Sequence, residues 1–227
     1  MRKRVEPWMR LAESVVIPPI STWFRWRFEG LGHVPREGPV LVACNHISYF
    51  DPLAQGYFIE KAKRRPRFLA KVELYKNPVL RTVLRGARQI PVRRGSGERA
   101  PVEAALAALR AGEVVMVYPE STVTRNEDHS PMQGKTGIAR LTLASGVPVT
   151  PLAVWGSQRV WQRSGKRSLK PGRPIWVKAG PPVDFSVHDE DPERPEVLRA
   201  VTDQVMGELS VLVDDLRARY PKEWANR

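Results

Sequence analysis

Residues 38–178 alternate short apolar runs with helical stretches, and this restricts the chain to an α/β fold. Residues 40–44 (Val-Leu-Val-Ala-Cys) form the first strand candidate, and residues 53–61 a helix after it. Residues 67–71, 89–92, 114–118, 149–154 and 175–178 read as further strands. Between them, residues 78–85, 98–110 and 137–144 read as helices. In the second of these Val102, Ala105, Leu106 and Leu109 fall on one face. A long helix over residues 196–219, stopped before Pro221, closes the chain. The expected fold is α/β: a central mixed, mostly parallel sheet flanked by helices over residues 31–227, preceded by an N-terminal amphipathic helical membrane-attachment segment over residues 1–30.

That first segment carries Arg2, Lys3, Arg4 and Arg10, then Val15-Val16-Ile17, then Trp23-Phe24-Arg25-Trp26-Arg27-Phe28. Tryptophan interleaved with arginine suits a membrane–water interface, where rings enter the acyl boundary and charges stay at headgroups. Pro18-Pro19 is expected to split the segment into two short helices. The apolar run is too short, too proline-rich and too poor in small residues to read as a signal peptide. No stretch approaches the roughly 20 apolar residues of a spanning helix. The competing reading is an N-terminal helix packed on its own domain.

Charge narrows the partners. The chain holds 37 Lys+Arg against 24 Asp+Glu, a net charge of +13, unevenly spread. Between Lys61 and Arg94 there are twelve basic residues and one acid, Glu73; Arg159 to Arg173 adds six with no acid. Such runs attract anionic lipid, phosphorylated substrates, an acidic protein or nucleic acid. No recognition helix or aromatic ribonucleoprotein block accompanies them, so nucleic acid is not the expected partner. The single cysteine, Cys44, excludes an internal disulfide and fits a reducing compartment. The four histidines are scattered, and no sequence-local metal site appears.

Just after the first strand candidate stands Asn45-His46-Ile47-Ser48-Tyr49-Phe50-Asp51. A strand ending there delivers His46 to a sheet edge. Ser48 reads as a helix N-cap and Pro52 as a first-turn residue. The turn between them can fold Asp51 back onto the imidazole. An aspartate on one ring nitrogen sets the tautomer and leaves the other to remove a proton from a hydroxyl. The plainer alternative has Asp51 supporting the helix N-terminus and His46 as a satisfied core histidine. A Cys44 nucleophile with His46 as its base is a third reading, weakened because adjacent same-face positions rarely bring imidazole and thiol together.

Two more polar clusters end strand candidates. Gln89-Ile90-Pro91-Val92-Arg93-Arg94 supplies guanidinium groups suited to phosphate, and Tyr118-Pro119-Glu120-Ser121-Thr122 supplies a carboxylate and hydroxyls suited to a polyol. In a parallel sheet, ligands sit beyond the carboxyl ends of strands, where all three clusters fall.

Together these blocks resemble the glycerolipid acyltransferase family that includes 1-acyl-sn-glycerol-3-phosphate acyltransferases. Asn45-His46 to Asp51 is similar to that family's N-H-x-x-x-x-D signature, Gln89 to Arg94 to its G-x-I-P-V-D-R block, and Tyr118 to Thr122 to F-P-E-G-T. Val147-Pro148-Val149-Thr150-Pro151-Leu152 resembles its apolar V-P-V-x-P-V block. Phe68-Leu69-Ala70-Lys71 and Gly134-Lys135-Thr136-Gly137 also resemble family segments. Four positions depart: Arg88 and Ser121 stand where the pattern has glycine, Arg93 where it often has aspartate, and Val123 where an arginine often follows.

The resemblance implies acyl transfer with His46 as general base and Asp51 as its orienting partner. It places Lys71 and Arg94 on the acceptor phosphate, with Arg93 as an added cation, and Glu120 on the glycerol portion. Ser121 and Thr122 would assist through backbone N–H or hydroxyl groups. It implies no metal and no prosthetic group, with acyl-CoA or acyl-ACP (an acyl carrier protein thioester) as co-substrate. The acceptor would be 1-acyl-sn-glycerol 3-phosphate or, alternatively, another lysophospholipid or glycerol 3-phosphate. The expected location is peripheral, on the cytoplasmic face of the cell membrane and against anionic lipid. A non-catalytic basic protein binding lipid or nucleic acid is the reading of another class.

Overall fold

A computed structural model describes residues 15, 17–92, 99–185 and 193–225. Seven strands form one sheet: β1 (Arg25–Glu29), β2 (Val40–Cys44), β3 (Pro66–Lys71), β4 (Ile90–Val92), β5 (Val114–Val117), β6 (Val149–Trp155) and β7 (Pro174–Ala179), in the order β1-β7-β6-β2-β5-β3-β4. Neighbours from β6 across to β4 are all parallel. Strand β7 runs antiparallel to β6, and β1 lies parallel to β7. The sheet is therefore mixed and mostly parallel, as the sequence pattern requires. Residues leading into β1 consequently lie at the same end of the sheet as the carboxyl ends of β2 to β6.

The helices are α1 (Asp51–Lys61), α2 (Pro78–Gly86), α3 (Arg99–Arg110), α4 (Gly137–Ser145), α5 (Pro195–Arg219) and the short α6 (Lys222–Ala225). Both faces of the sheet are covered. Alternation along β2 sends Val40, Val42 and Cys44 into one core with Phe58 and Ile59 of α1, and Leu41 and Ala43 into a second with Ala105, Leu109 and Ile138 of α3 and α4. This double burial makes the strands read as continuous apolar runs. Helix α5 serves both cores: Val197, Val201 and Leu209 enter the second, and Leu212, Val213 and Leu216 the first. No described helix is long and apolar enough to cross a membrane.

Two local expectations change. The run at residues 23–28, read with the N-terminal segment, is largely strand: β1 pairs with β7, and Trp26 and Phe28 make edge-to-face contacts with Tyr57 at 5.1 and 5.3 Å. Its aromatic–arginine alternation has period two, so the rings point inward while Arg25 and Arg27 stay exposed. Each such ring pair contributes about 0.5–1.5 kcal/mol beyond its buried area. The expected boundary at residue 30 thus lies beyond a strand of the sheet. Residues 17–23 are helical, with Pro18 and Pro19 at their start, while residues 1–14 lie outside the described residues. Ser48 does not cap α1. Its hydroxyl accepts the N–H of Phe50 in a tight turn and donates to the Trp161 carbonyl.

Candidate active site

Strand β2 ends at Cys44, and Asn45 redirects the chain beyond it. Its side-chain amide continues the ladder to β6, donating to the Val154 carbonyl at 3.1 Å and accepting the Val154 N–H at 2.8 Å. A side chain thus stands in for the next peptide pair, and the main chain is released to turn away with His46. That turn is held from both sides. The His46 N–H donates to Glu120 Oε1 at 3.1 Å, and its carbonyl accepts the Thr124 N–H at 2.7 Å.

The imidazole Nδ1 lies 2.9 Å from Asp51 Oδ2. The same oxygen accepts the N–H groups of Ile47 at 2.6 Å and Ser48 at 2.7 Å. Asp51 Oδ1 accepts the Ser157 hydroxyl at 2.6 Å. An ionised carboxylate offers only acceptors, and every group facing this fully buried one is a donor. The network assigns the ring proton to Nδ1 and leaves Nε2 as the unprotonated nitrogen. The side chain of His46 keeps 15% of its surface accessible, enough for a substrate hydroxyl to approach.

Tyr118 completes the cradle. Its ring stacks on the imidazole at 4.3 Å between centroids, with 26° between planes, and its hydroxyl donates to Gln55 Oε1 at 2.6 Å. Gln55 in turn donates to the Asn45 carbonyl at 3.1 Å. An aromatic face beside the ring favours the cationic imidazolium that proton uptake creates. Burial raises the Tyr118 phenol well above its ordinary range, so it remains a donor.

The other residues singled out in the sequence divide. Glu120 lies at the same strand end but is occupied: Oε1 holds the His46 N–H and Oε2 the Met132 N–H at 2.9 Å. Burial raises its pKa, and the two backbone donors oppose that rise. Glu120 therefore braces the histidine turn, where the sequence suggested a contact to a polyol. Ser121 follows in a left-handed conformation, φ 59°, and both it and Thr122 are half-buried beside that turn. Lys71 is exposed at the end of β3, in register with Val92 of β4. Arg93 and Arg94, the next two residues after Val92, lie outside the described residues. Cys44 is fully buried, and burial raises its thiol pKa well above the usual range, the reverse of an activated nucleophile.

Three contributors were invisible as motifs: Ser157, Thr124 and the Tyr118–Gln55 link. Ser157 follows β6 at the start of a basic, turn-rich stretch and is fully buried. Gly156 puts it there with φ 95°, where a Cβ would stand 2.3 Å from the Pro174 carbonyl oxygen. Only glycine allows that approach.

His46 and Asp51 thus form a base–orienter arrangement at the carboxyl end of the central strand of a mostly parallel sheet, a geometry able to take a proton from a hydroxyl. The acyltransferase family model matches residues 25–155, more than half the chain, and the chain belongs to that family. It is 26% identical over 186 residues to the 1-acyl-sn-glycerol-3-phosphate acyltransferase of Bacillus subtilis, covering 81% of this chain and 87% of that one. It is 28% identical over 155 residues to the lyso-ornithine lipid O-acyltransferase of Pseudomonas aeruginosa, covering 68% of this chain and 54% of that one. The crystal structure of the 1-acyl-sn-glycerophosphate acyltransferase PlsC from Thermotoga maritima superposes with a TM-score of 0.73 at 25% identity, covering 98% of this chain and 86% of that one.

Proposed function

We propose that this acyltransferase moves a fatty acyl group from a thioester of coenzyme A or acyl carrier protein to the free hydroxyl of 1-acyl-sn-glycerol 3-phosphate, yielding phosphatidic acid. The observation that carries the chemistry is the Asp51 Oδ2–His46 Nδ1 contact at 2.9 Å, which leaves Nε2 to act as base. As the acceptor oxygen attacks the thioester carbonyl, Nε2 takes its proton. The tetrahedral intermediate collapses with loss of the thiolate, and the imidazolium returns the proton to sulfur. Asp51 holds the cation throughout, and Tyr118 faces it. General-base assistance of this kind supplies about 10²–10⁴-fold, with positioning providing much of the remainder.

In this reading Lys71, with Arg93 and Arg94, binds the acceptor phosphate. Ser121 and Thr122 lie beside the glycerol portion, and Glu120 acts by holding the His46 backbone. The donor is a co-substrate, and no prosthetic group or metal takes part. The protein sits peripherally on the cytoplasmic face of the cell membrane, with residues 1–30 contributing to attachment at anionic lipid. The name of the B. subtilis relative favours lysophosphatidic acid as acceptor. That of the P. aeruginosa relative keeps another lysolipid as the second reading.

The test incubates wild type and His46→Ala with acyl-CoA and lysophosphatidic acid and detects phosphatidic acid by mass spectrometry. Product is expected from wild type alone, and undiminished product from the alanine variant would sink the mechanism. Parallel incubations with lyso-ornithine lipid, other lysophospholipids and glycerol 3-phosphate rank the acceptors.

A further inference from the structure

Helix α2 is nine residues long, and neither it nor the 3-10 turn before it (Val72–Lys76) contains a buried residue. It is nonetheless well formed. The Asn77 side chain caps it by accepting the N–H groups of Val79 and Leu80, and Pro78 occupies its first turn. Val79, Leu80 and Val83 fall on one side and are exposed, Val79 by 69% and Val83 by 49%; Leu74, just before the helix, is exposed as well. Arg81 and Arg85, one turn apart, lie on the opposite side and are exposed too. A soluble helix normally turns its apolar stripe inward. This one turns it outward.

Its place in the fold puts the stripe at one end of the sheet. The 3-10 turn and α2 follow directly from the carboxyl end of β3, the end of the sheet at which His46 stands. Four other large apolar side chains left exposed also lie on segments at that end: Trp23 before β1, Tyr49 and Leu53 at the start of α1, and Leu169 between β6 and β7. Val15, ahead of Trp23, and Val211, on α5, are exposed apolar side chains as well. Trp23 and Leu169 form a unit, since the Trp23 ring N–H donates to the Leu169 carbonyl at 2.9 Å. Exposed apolar groups thus flank the site from separate segments, with Lys76, Arg81 and Arg85 on one side and Lys166, Arg167 and Lys170 on the other.

We propose that α2 with its preceding 3-10 turn is a membrane-docking element that seats the mouth of the site on an anionic lipid bilayer. Val79, Leu80 and Val83 enter the acyl boundary, and Arg81 and Arg85 meet the headgroups. An apolar face with arginines on the opposite face of a surface helix is the pattern of interfacial binding. Spread around one end of a sheet, they suit a plane better than the compact footprint of a single protein partner. The proposal deepens the membrane reading above and assigns it to residues far in sequence from the N-terminal segment.

The experiment compares the full chain with a Val79→Ser/Val83→Ser variant, both shown by circular dichroism to be folded. Binding is measured on phosphatidylcholine vesicles with and without phosphatidylglycerol. Acyl transfer is measured with bilayer-embedded lysophosphatidic acid and with a short-chain, monomerically dissolved analogue. The variant is expected to bind phosphatidylglycerol-containing vesicles about tenfold or more weakly. It should lose bilayer activity in step and keep its rate on the dissolved substrate. Equal vesicle binding by the two proteins overturns the proposal. So does binding of acidic carrier protein, but not vesicles, through this helix, and so does a concentration-dependent dimer abolished by the substitutions while vesicle binding persists. Absence of transfer by wild type on either substrate would instead strike the catalytic reading, and the vesicle measurement would still decide this one.

Discussion

The Ser157 hydroxyl donates to Asp51 Oδ1 at 2.6 Å across 106 residues of sequence, so the second oxygen of the orienting carboxylate is held by a different strand end from the one that carries the histidine. Strands β2 and β6 are neighbours in the sheet, and the turn after β6 thereby braces the turn after β2. Ser157→Ala is expected to lower kcat by about ten- to a hundredfold, the equivalent of one hydrogen bond to a buried charge. KM for the acceptor should change little. A lowered melting temperature with an unchanged kcat would assign Ser157 a packing role only.

Tyr118 supplies two things that substitution can separate. Tyr118→Phe keeps the ring on His46 and deletes the donor to Gln55; it should leave kcat within about threefold and cost on the order of 1–3 kcal/mol of stability for the unsatisfied amide oxygen. Tyr118→Leu removes the face as well and is expected to lower kcat by about tenfold. Steady-state kinetics with urea denaturation on both variants checks the division. Equal kcat values for the two would mean that the ring plays no part in stabilising the imidazolium.

Arg88 and Ser121, the two positions where the family pattern has glycine, both adopt positive φ, 50° and 59°. A non-glycine residue there costs about 1–2 kcal/mol, while glycine loses about 0.5–1 kcal/mol to chain entropy. Arg88→Gly and Ser121→Gly are each expected to raise stability by up to about 1 kcal/mol, read from the denaturation midpoint. Loss of the Arg88–Glu113 ion pair, 3.7 Å and largely exposed on the arginine side, offsets little of this. A drop in stability on either change would show that the native side chain makes a contact worth more than the strain.

Asp215 on α5 receives hydrogen bonds from Arg219 and Lys178, which hold its carboxyl down to about 2 from an ordinary 3.8. The folded form is the weaker proton binder, so this stabilisation is complete above the unfolded value and is lost as pH falls through about 2. Asp215→Asn should flatten the acid side of the stability–pH curve below about pH 4 and leave the neutral side parallel to wild type. The group is partly solvated, and added salt should narrow the difference. Thermal melts across that range, at two salt concentrations, test it.

Strand and helix positions were readable because each rests on local patterning. The apolar run at Val40–Cys44, the stripe of Val102, Ala105, Leu106 and Leu109, and the stop before Pro221 all act within a few residues. The aromatic–arginine run misled because tryptophan and arginine at period two suit both a membrane interface and an edge strand. Only the pairing of Trp26 with Ile175 chooses the strand. Glu120 shows a related limit of local reading. Its position in a motif says that the carboxylate is needed, whereas the amide donors of His46 and Met132 that occupy it arrive from two other segments.

The sequence by itself determined the α/β class and made the His46–Asp51 pairing readable, since only five residues of chain separate the two side chains and a turn can bring them together. Tertiary structure decided what steadies the pair. Ser157 and Thr124 reach it from separate segments, through single hydrogen bonds whose donors and acceptors become neighbours only when the sheet order sets β2 between β5 and β6. That adjacency is a property of strand pairing over more than a hundred residues, and no local pattern encodes it.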